Sequence, residues 1–285
     1  MHYLKIVFYI VVGVFAVIGF VFTAVFVAMQ LGLLTVRGSI QSRNQFFSAV
    51  SGKPVLSAHH NPCIDPTIKA CSWSQTPEWA VIKAGLAKDA PIIEDVSIKT
   101  GVPERVIAAV VVPEQTRFFT AEREVFKRYF EPLKILGSLS QFSLGVSGIK
   151  QETANAIEKY AASTTSQFYP GPGMSGLIAY DEGESHDTAL YDRLTNEHDH
   201  YYSYLYTALF IKEIYAQWER AGFDLRKNPG AVVTLFNIGF GASHPNATPQ
   251  LAGATIETGG TTYTYGELGQ IFYDSDELTD LFPRR

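Results

Sequence analysis

Between Ile6 and Leu34 the chain carries no charged residue, with Lys5 before the run and Arg37 after it. A helix needs about 20 apolar residues to cross a bilayer, so this run is long enough to span one with some tilt. A cleavable signal peptide has a shorter apolar core, of about 7–15 residues, followed by a small-residue cleavage site. The expectation is a single retained transmembrane helix over residues 1–35, with 6–34 in the membrane. Arg37, Arg43 and Lys53 lie after the run and Lys5 before it. That distribution would place the body of the protein in the cytoplasm.

The remainder is long enough for one globular domain with a sizeable core. A net charge of −5, with no run of Lys and Arg, argues against a nucleic-acid partner. Residues 36–90 are rich in Ser, Pro, Asn and Gly, and are read as a juxtamembrane region of short helices and irregular packing. Within it, Cys63 and Cys71 are read as a small disulfide loop, as two free thiols or, with His59 and His60, as a zinc site; the spacing fits no defensible zinc pattern. From Pro91 to 285 the pattern is helix after helix, without a hairpin signal or a repeat. The exception is an insertion near 164–200, rich in Gly, Pro, Asp and Glu, read as a long loop over the helical body.

Four helices carry the argument. One begins near Pro103 and places Ile107, Val110, Val111 and Glu114 at helical spacing. A second follows GIKQETA through Ala154, Ile157 and Ala161. A third spans about Tyr201 to Ala221, with Tyr201, Leu205, Ala208, Ile211, Tyr215 and Trp218 on one face and Gly222 to end it. The last has Asn228 as cap and Pro229 at its first position. Glu114 prolongs an apolar stripe, just after Pro113. A carboxyl there is expected to be partly desolvated, as a general acid needs; a surface glutamate paired with Arg117 or Lys127 is the plainer alternative. The SLGVSGI segment offers two glycines three apart, suited to close approach of a ligand or simply to a tight turn. FNIGFG follows the last helix, where glycines are also ordinary stop signals.

In order and spacing, these segments resemble the lytic transglycosylase domain of the soluble-lytic-transglycosylase and goose-type-lysozyme group, over about residues 91–245. Glu114-Gln115-Thr116-Arg117-Phe118 stands where that family has E-S-x-x-F. Gly145-Val146-Ser147-Gly148-Ile149-Lys150-Gln151, then Thr153-Ala154, stands where it has G-A-x-G-L-M-Q and a threonine–alanine pair. Phe236-Asn237-Ile238-Gly239-Phe240-Gly241 is similar to Y-N-A-G-x-G. Three residues depart from the pattern: Gln115 for serine, Lys150 for an apolar residue, and Phe236 for a tyrosine whose hydroxyl lies near the catalytic glutamate. Tyr263 or Tyr265 are candidates to supply that hydroxyl.

The resemblance implies a mostly α, lysozyme-like domain over 91–285 that cleaves the β-1,4 bond between N-acetylmuramic acid and N-acetylglucosamine in peptidoglycan. It implies Glu114 as the single catalytic acid and base, with a 1,6-anhydro product. Gln115, Ser143, Gly145, Gly148, Ile149, Gln151, Phe236, Asn237 and Gly239 would bind the glycan strand. No metal or organic cofactor is implied. A hydrolase would need a second carboxylate, for which Asp181, Glu182, Glu184 and Asp199 are candidates. The family role also implies a domain outside a bacterial cytoplasmic membrane, against the basic-residue distribution. Two alternatives stand beside it: a non-catalytic peptidoglycan-binding or scaffold protein of the cell envelope, and a structural membrane protein with accidental motif matches. Protein partners are not legible in the sequence.

Overall fold

A computed structural model describes residues 72–118, 143–196 and 198–284, with isolated positions between Lys5 and Thr23. Most of the apolar run lies outside these residues, as do His59, His60, Cys63 and Cys71. Among the described residues no helix is long and apolar enough to cross a membrane.

The described chain is mostly helical. Helix α1 (Pro77–Thr100) starts where the Thr76 side chain accepts the Trp79 N–H and Pro77 takes the first position, and it ends at Gly101 in the left-handed region. It runs through Pro91, so the helical body begins by Pro77, inside the region expected to be irregular up to 90. Helix α2 (Glu104–Phe118) buries every residue from Glu104 to Pro113. A helix apolar on nearly all sides can only sit inside a fold, and α2 packs against α1, α5 (Tyr201–Arg220), α6 (Pro229–Ile238) and α7 (Tyr265–Asp274). Asn228 occupies the cap position of α6 as expected, but its side chain makes no capping bond.

Helix α5 was expected to bury one face. It buries fourteen of its twenty residues, because α1 and α3 (Gln151–Ala162) pack on different sides of it. Asp89 of α1 and His200, at the N-terminus of α5, are both buried and paired at 2.7 Å, and the Tyr204 hydroxyl donates to the same Asp89 oxygen at 2.8 Å. The 164–200 segment is not only a loop. It holds helix α4 (His186–Thr195), whose Leu190 and Leu194, four apart, are buried.

Two hairpins correct the expectation of none. Strands β1 (Ser143–Leu144) and β2 (Ile149–Lys150) flank the Gly145–Gly148 turn. Strands β3 (Thr255–Thr258) and β4 (Thr261–Thr264) pair Thr258 with Thr261 around Gly259-Gly260, both glycines at positive φ. A two-residue Gly-Gly loop is a standard hairpin turn. Its flanks are short and threonine-rich with Ile256 as the single buried aliphatic, so hydrophobic alternation does not announce them.

Candidate active site

Glu114 lies one turn from the end of α2, and its side chain is 12% exposed. Three elements enclose the carboxyl. From α2 itself, Arg117 Nη2 donates to Oε1 at 2.6 Å and to Oε2 at 2.8 Å. From the N-terminus of α7, the Tyr265 hydroxyl donates to Oε2 at 3.0 Å. From the β1–β2 hairpin, the Gly148 Cα backs directly onto the carboxyl: a Cβ there would overlap Oε1. Gly148 also has φ +65°, a conformation that favours glycine. Both expectations for Glu114 meet in part: the carboxyl is largely buried, and it is paired with Arg117.

The hairpin is fixed from two sides. Gln115, buried beside the glutamate, donates from Nε2 to the Val146 carbonyl. Ser203 of α5 accepts the Val146 N–H at 2.9 Å, and its carbonyl accepts the Ser147 hydroxyl at 3.1 Å. A side chain at Gly145 would strike Ser203 Oγ and the Leu194 carbonyl of α4. The glycines therefore bring the turn against Glu114, and Gln115 and Ser203 hold it there through Val146 and Ser147.

Tyr265 is fully buried. Burial, and then the neighbouring Glu114, push its pKa well above the usual 10.0, which keeps it a hydrogen-bond donor. Its backbone is held by the 252–254 segment: the Tyr265 N–H donates to the Ala254 carbonyl at 2.9 Å, and Ala254 N–H donates to Asn237 Oδ1 at 2.8 Å. Asn237 therefore supports the site through Tyr265, with its oxygen already used on the backbone. Tyr265→Phe keeps the ring and removes the donor. A hydrogen bond to a charged group contributes about 1.5–3 kcal/mol to stability, so the variant is expected to melt at a lower temperature than the unmutated protein, which a thermal melt checks.

No protein-family model, no curated protein and no solved structure matches the chain. Of the residues singled out in the sequence, Glu114, Gln115, Gly145 and Gly148 come together, with Ser143 and Ile149 in the strands of the hairpin; Ile149 is buried in the core. Phe236 packs edge-on against Phe210, at 5.1 Å between ring centres. Gly239 ends α6 at φ 87°. Asp181, Glu182, Glu184 and Asp199 are all exposed, and none hydrogen-bonds to Glu114. Tyr263 is half-buried, and it is Tyr265 whose hydroxyl reaches the carboxylate. Ser203 carried no signal, being one polar residue in a long apolar helix.

Gln151 turns away from Glu114: its Nε2 donates to Asp187 at 3.2 Å. It borders a second polar cluster on α3 and α4. Glu158 accepts from the Tyr180 and Tyr206 hydroxyls and pairs with His186 at 2.6 Å. The Glu158 contact raises the His186 pKa above 6.5; partial burial opposes it, and Asp187, 3.2 Å from Nδ1, adds to it. A raised folded-state pKa means the pair stabilises fully below the ordinary histidine value, and that contribution is lost as pH rises through the higher folded value. The His186 ring, followed by nuclear magnetic resonance, is expected to titrate above 6.5, and Glu158→Gln to return it toward that value. An ordinary midpoint in the unmutated protein would exclude the tie.

Proposed function

We propose that the chain is a peptidoglycan lytic transglycosylase with a lysozyme-like domain, tethered by its apolar N-terminal run with the domain outside the cytoplasmic membrane. The observation that carries the reading is the seat of Glu114. A mostly buried carboxyl closes a helix end and is backed by a glycine turn and a tyrosine hydroxyl. That turn and that helix end are the motifs whose order suggested the family.

In this reading Glu114 protonates the glycosidic oxygen as the bond to the muramoyl C1 breaks. The carboxylate so formed takes the proton of the muramoyl 6-hydroxyl as that oxygen bonds to C1. The product is a 1,6-anhydro sugar, and Glu114 ends in the form in which it began. Tyr265 holds the carboxyl in place through both steps, and the hairpin turn lines the cleft beside it. The chemistry asks for no second carboxylate.

One observation favours a second reading, a non-catalytic wall-binding protein: Arg117 occupies both oxygens of the carboxyl. Mass spectrometry of soluble products from purified peptidoglycan, using the full chain in detergent, separates the readings. Anhydro-muropeptides support the transglycosylase, and reducing-end products a hydrolase. No products, with the protein sedimenting with the wall, support the binding protein.

A further inference from the structure

Helix α4 meets the β1–β2 hairpin on both sides of its turn. In the last turn of α4, the Leu194 carbonyl lies against Gly145, where the hairpin turn begins. In its first turn, Asp187 Oδ1 accepts from Gln151 Nε2 at 3.2 Å. Gln151 opens α3 directly after β2, three residues beyond Gly148, whose backbone backs onto the Glu114 carboxyl. His186 fixes this first turn of α4. Its Nε2 lies 2.6 Å from Glu158 Oε2, and its Nδ1 lies 3.2 Å from the same Asp187 oxygen that holds Gln151. Only the charged imidazolium donates at both nitrogens; a neutral ring turns a lone pair on one of the two carboxylates. Glu158 of α3 and Asp187 beside it are the charged groups that act on the ring. Tyr180 packs against it with ring centres 4.9 Å apart, Arg193 lies 4.0 Å over the Tyr180 ring, and Tyr206 of α5 shares Glu158 with it. The His186 side chain is 45% exposed, so it exchanges protons freely with solvent.

We propose that His186 is a pH latch on the Glu114 site: charged, it clamps the first turn of α4 to α3 and keeps the hairpin seated on the carboxyl, and neutral, it lets the hairpin loosen. Loss of the proton sets the Asp187 carboxylate free of the ring, so Gln151 loses an acceptor held in place. Arg193, which donates to the Ile178 and Ala179 carbonyls, and the buried Leu190 and Leu194 keep the rest of α4 attached. The hairpin therefore loosens without the fold opening. The clamp is complete on the acid side of the His186 titration and is lost as pH rises through it. The inference rests on Glu114 being the working group of the site, while its test follows the hairpin itself and needs no substrate.

Hydrogen exchange of the Val146 amide, which donates to Ser203 at 2.9 Å, reads the seat of the hairpin. It is followed by nuclear magnetic resonance in the full chain in detergent, as protection relative to a free peptide, with and without low urea. A local opening exchanges without urea dependence, whereas global unfolding is urea-dependent. Val146 is expected to exchange through a local opening whose protection falls about threefold to tenfold as pH rises through the titration of the His186 ring. His186→Gln should erase that step. Asp187→Asn, which keeps an acceptor for Gln151, should diminish it. Glu158→Gln should carry the step and the ring titration to lower pH together. A local opening that ignores the ring's titration, a step that survives His186→Gln, or exchange of Val146 by global unfolding alone overturns the latch; in the last case the pair only stabilises the fold as a whole. Product release from peptidoglycan is scored apart. A step in a protein that releases no product keeps the latch and removes the transglycosylase reading, and product without a step does the reverse.

Discussion

Glu114→Gln is expected to slow release of anhydro-muropeptides by at least about 10³-fold, at the upper end of what a positioned acid or base contributes. Glutamine cannot protonate the leaving oxygen in the first step and cannot accept the 6-hydroxyl proton in the second. Losing one group disables both. The substitution is nearly isosteric, so the Gly148 backbone can remain against it. Its amide nitrogen would face either the Arg117 or the Tyr265 donor, a mismatch costing about 1–2 kcal/mol of stability. A thermal melt alongside the kinetics separates the two effects: a small shift in melting temperature with near-complete loss of product is the expected pair. Product release within tenfold of the unmutated protein would remove Glu114 from the mechanism and return attention to the exposed carboxylates of the insertion.

The second large effect concerns stability. Arg105 is fully buried in α2, and no carboxylate among the described residues forms an ion pair with it. Its guanidinium donates to the carbonyls of Phe272, Tyr273, Ser275, Glu277 and Phe282. Phe272 and Tyr273 are in the last turn of α7, where carbonyls lack helical donors and the helix dipole favours a cation. The guanidinium also lies 4.9 Å from the centre of the Phe272 ring. One side chain thus fastens α7 and the C-terminal tail to the central helix. Arg105→Met fills similar space but removes a donor from five carbonyls, of which Phe272 keeps Ser275 and Ser275 keeps Arg284. Some are partly accessible to water, so the expected loss is about 3–5 kcal/mol rather than five full desolvation penalties. That is a large share of the roughly 5–15 kcal/mol available to a domain. It should appear as a lower urea midpoint with an unchanged slope. Since α7 carries Tyr265, activity should fail at a lower temperature too. An unchanged midpoint would show that water or the tail replaces these bonds without cost.

Much of the site was legible because its parts are local in sequence. The helix ending in Glu114 follows from the apolar residues after Pro103, and the turn from two glycines three apart. Arg117, three residues beyond Glu114 on the same helix, was reachable from helical spacing alone. The β3–β4 hairpin was legible in principle from its Gly-Gly pair, but two short threonine strands have no hydrophobic period to support it. Helix α1 was obscured by Pro91 in its interior, which read as a boundary.

By itself, the sequence determined a chain of helices, the last turn of α2 that carries Glu114, and the glycines at which the β1–β2 turn could approach another group. These are properties of spacing and of single residues. Only the tertiary structure decided what stands around the carboxyl. Tyr265, 151 positions away, reaches it because Asn237 and Ala254 hold the backbone before α7. Ser203 holds the turn because α5 passes beneath it. It also decided that Glu213 of α5, with neither oxygen paired, lies wholly inside the core, where burial pushes its pKa well above 4.5. A residue's neighbours across a core depend on how helices cross and how closely they pack, and no period in one chain segment encodes the face of another that it will meet.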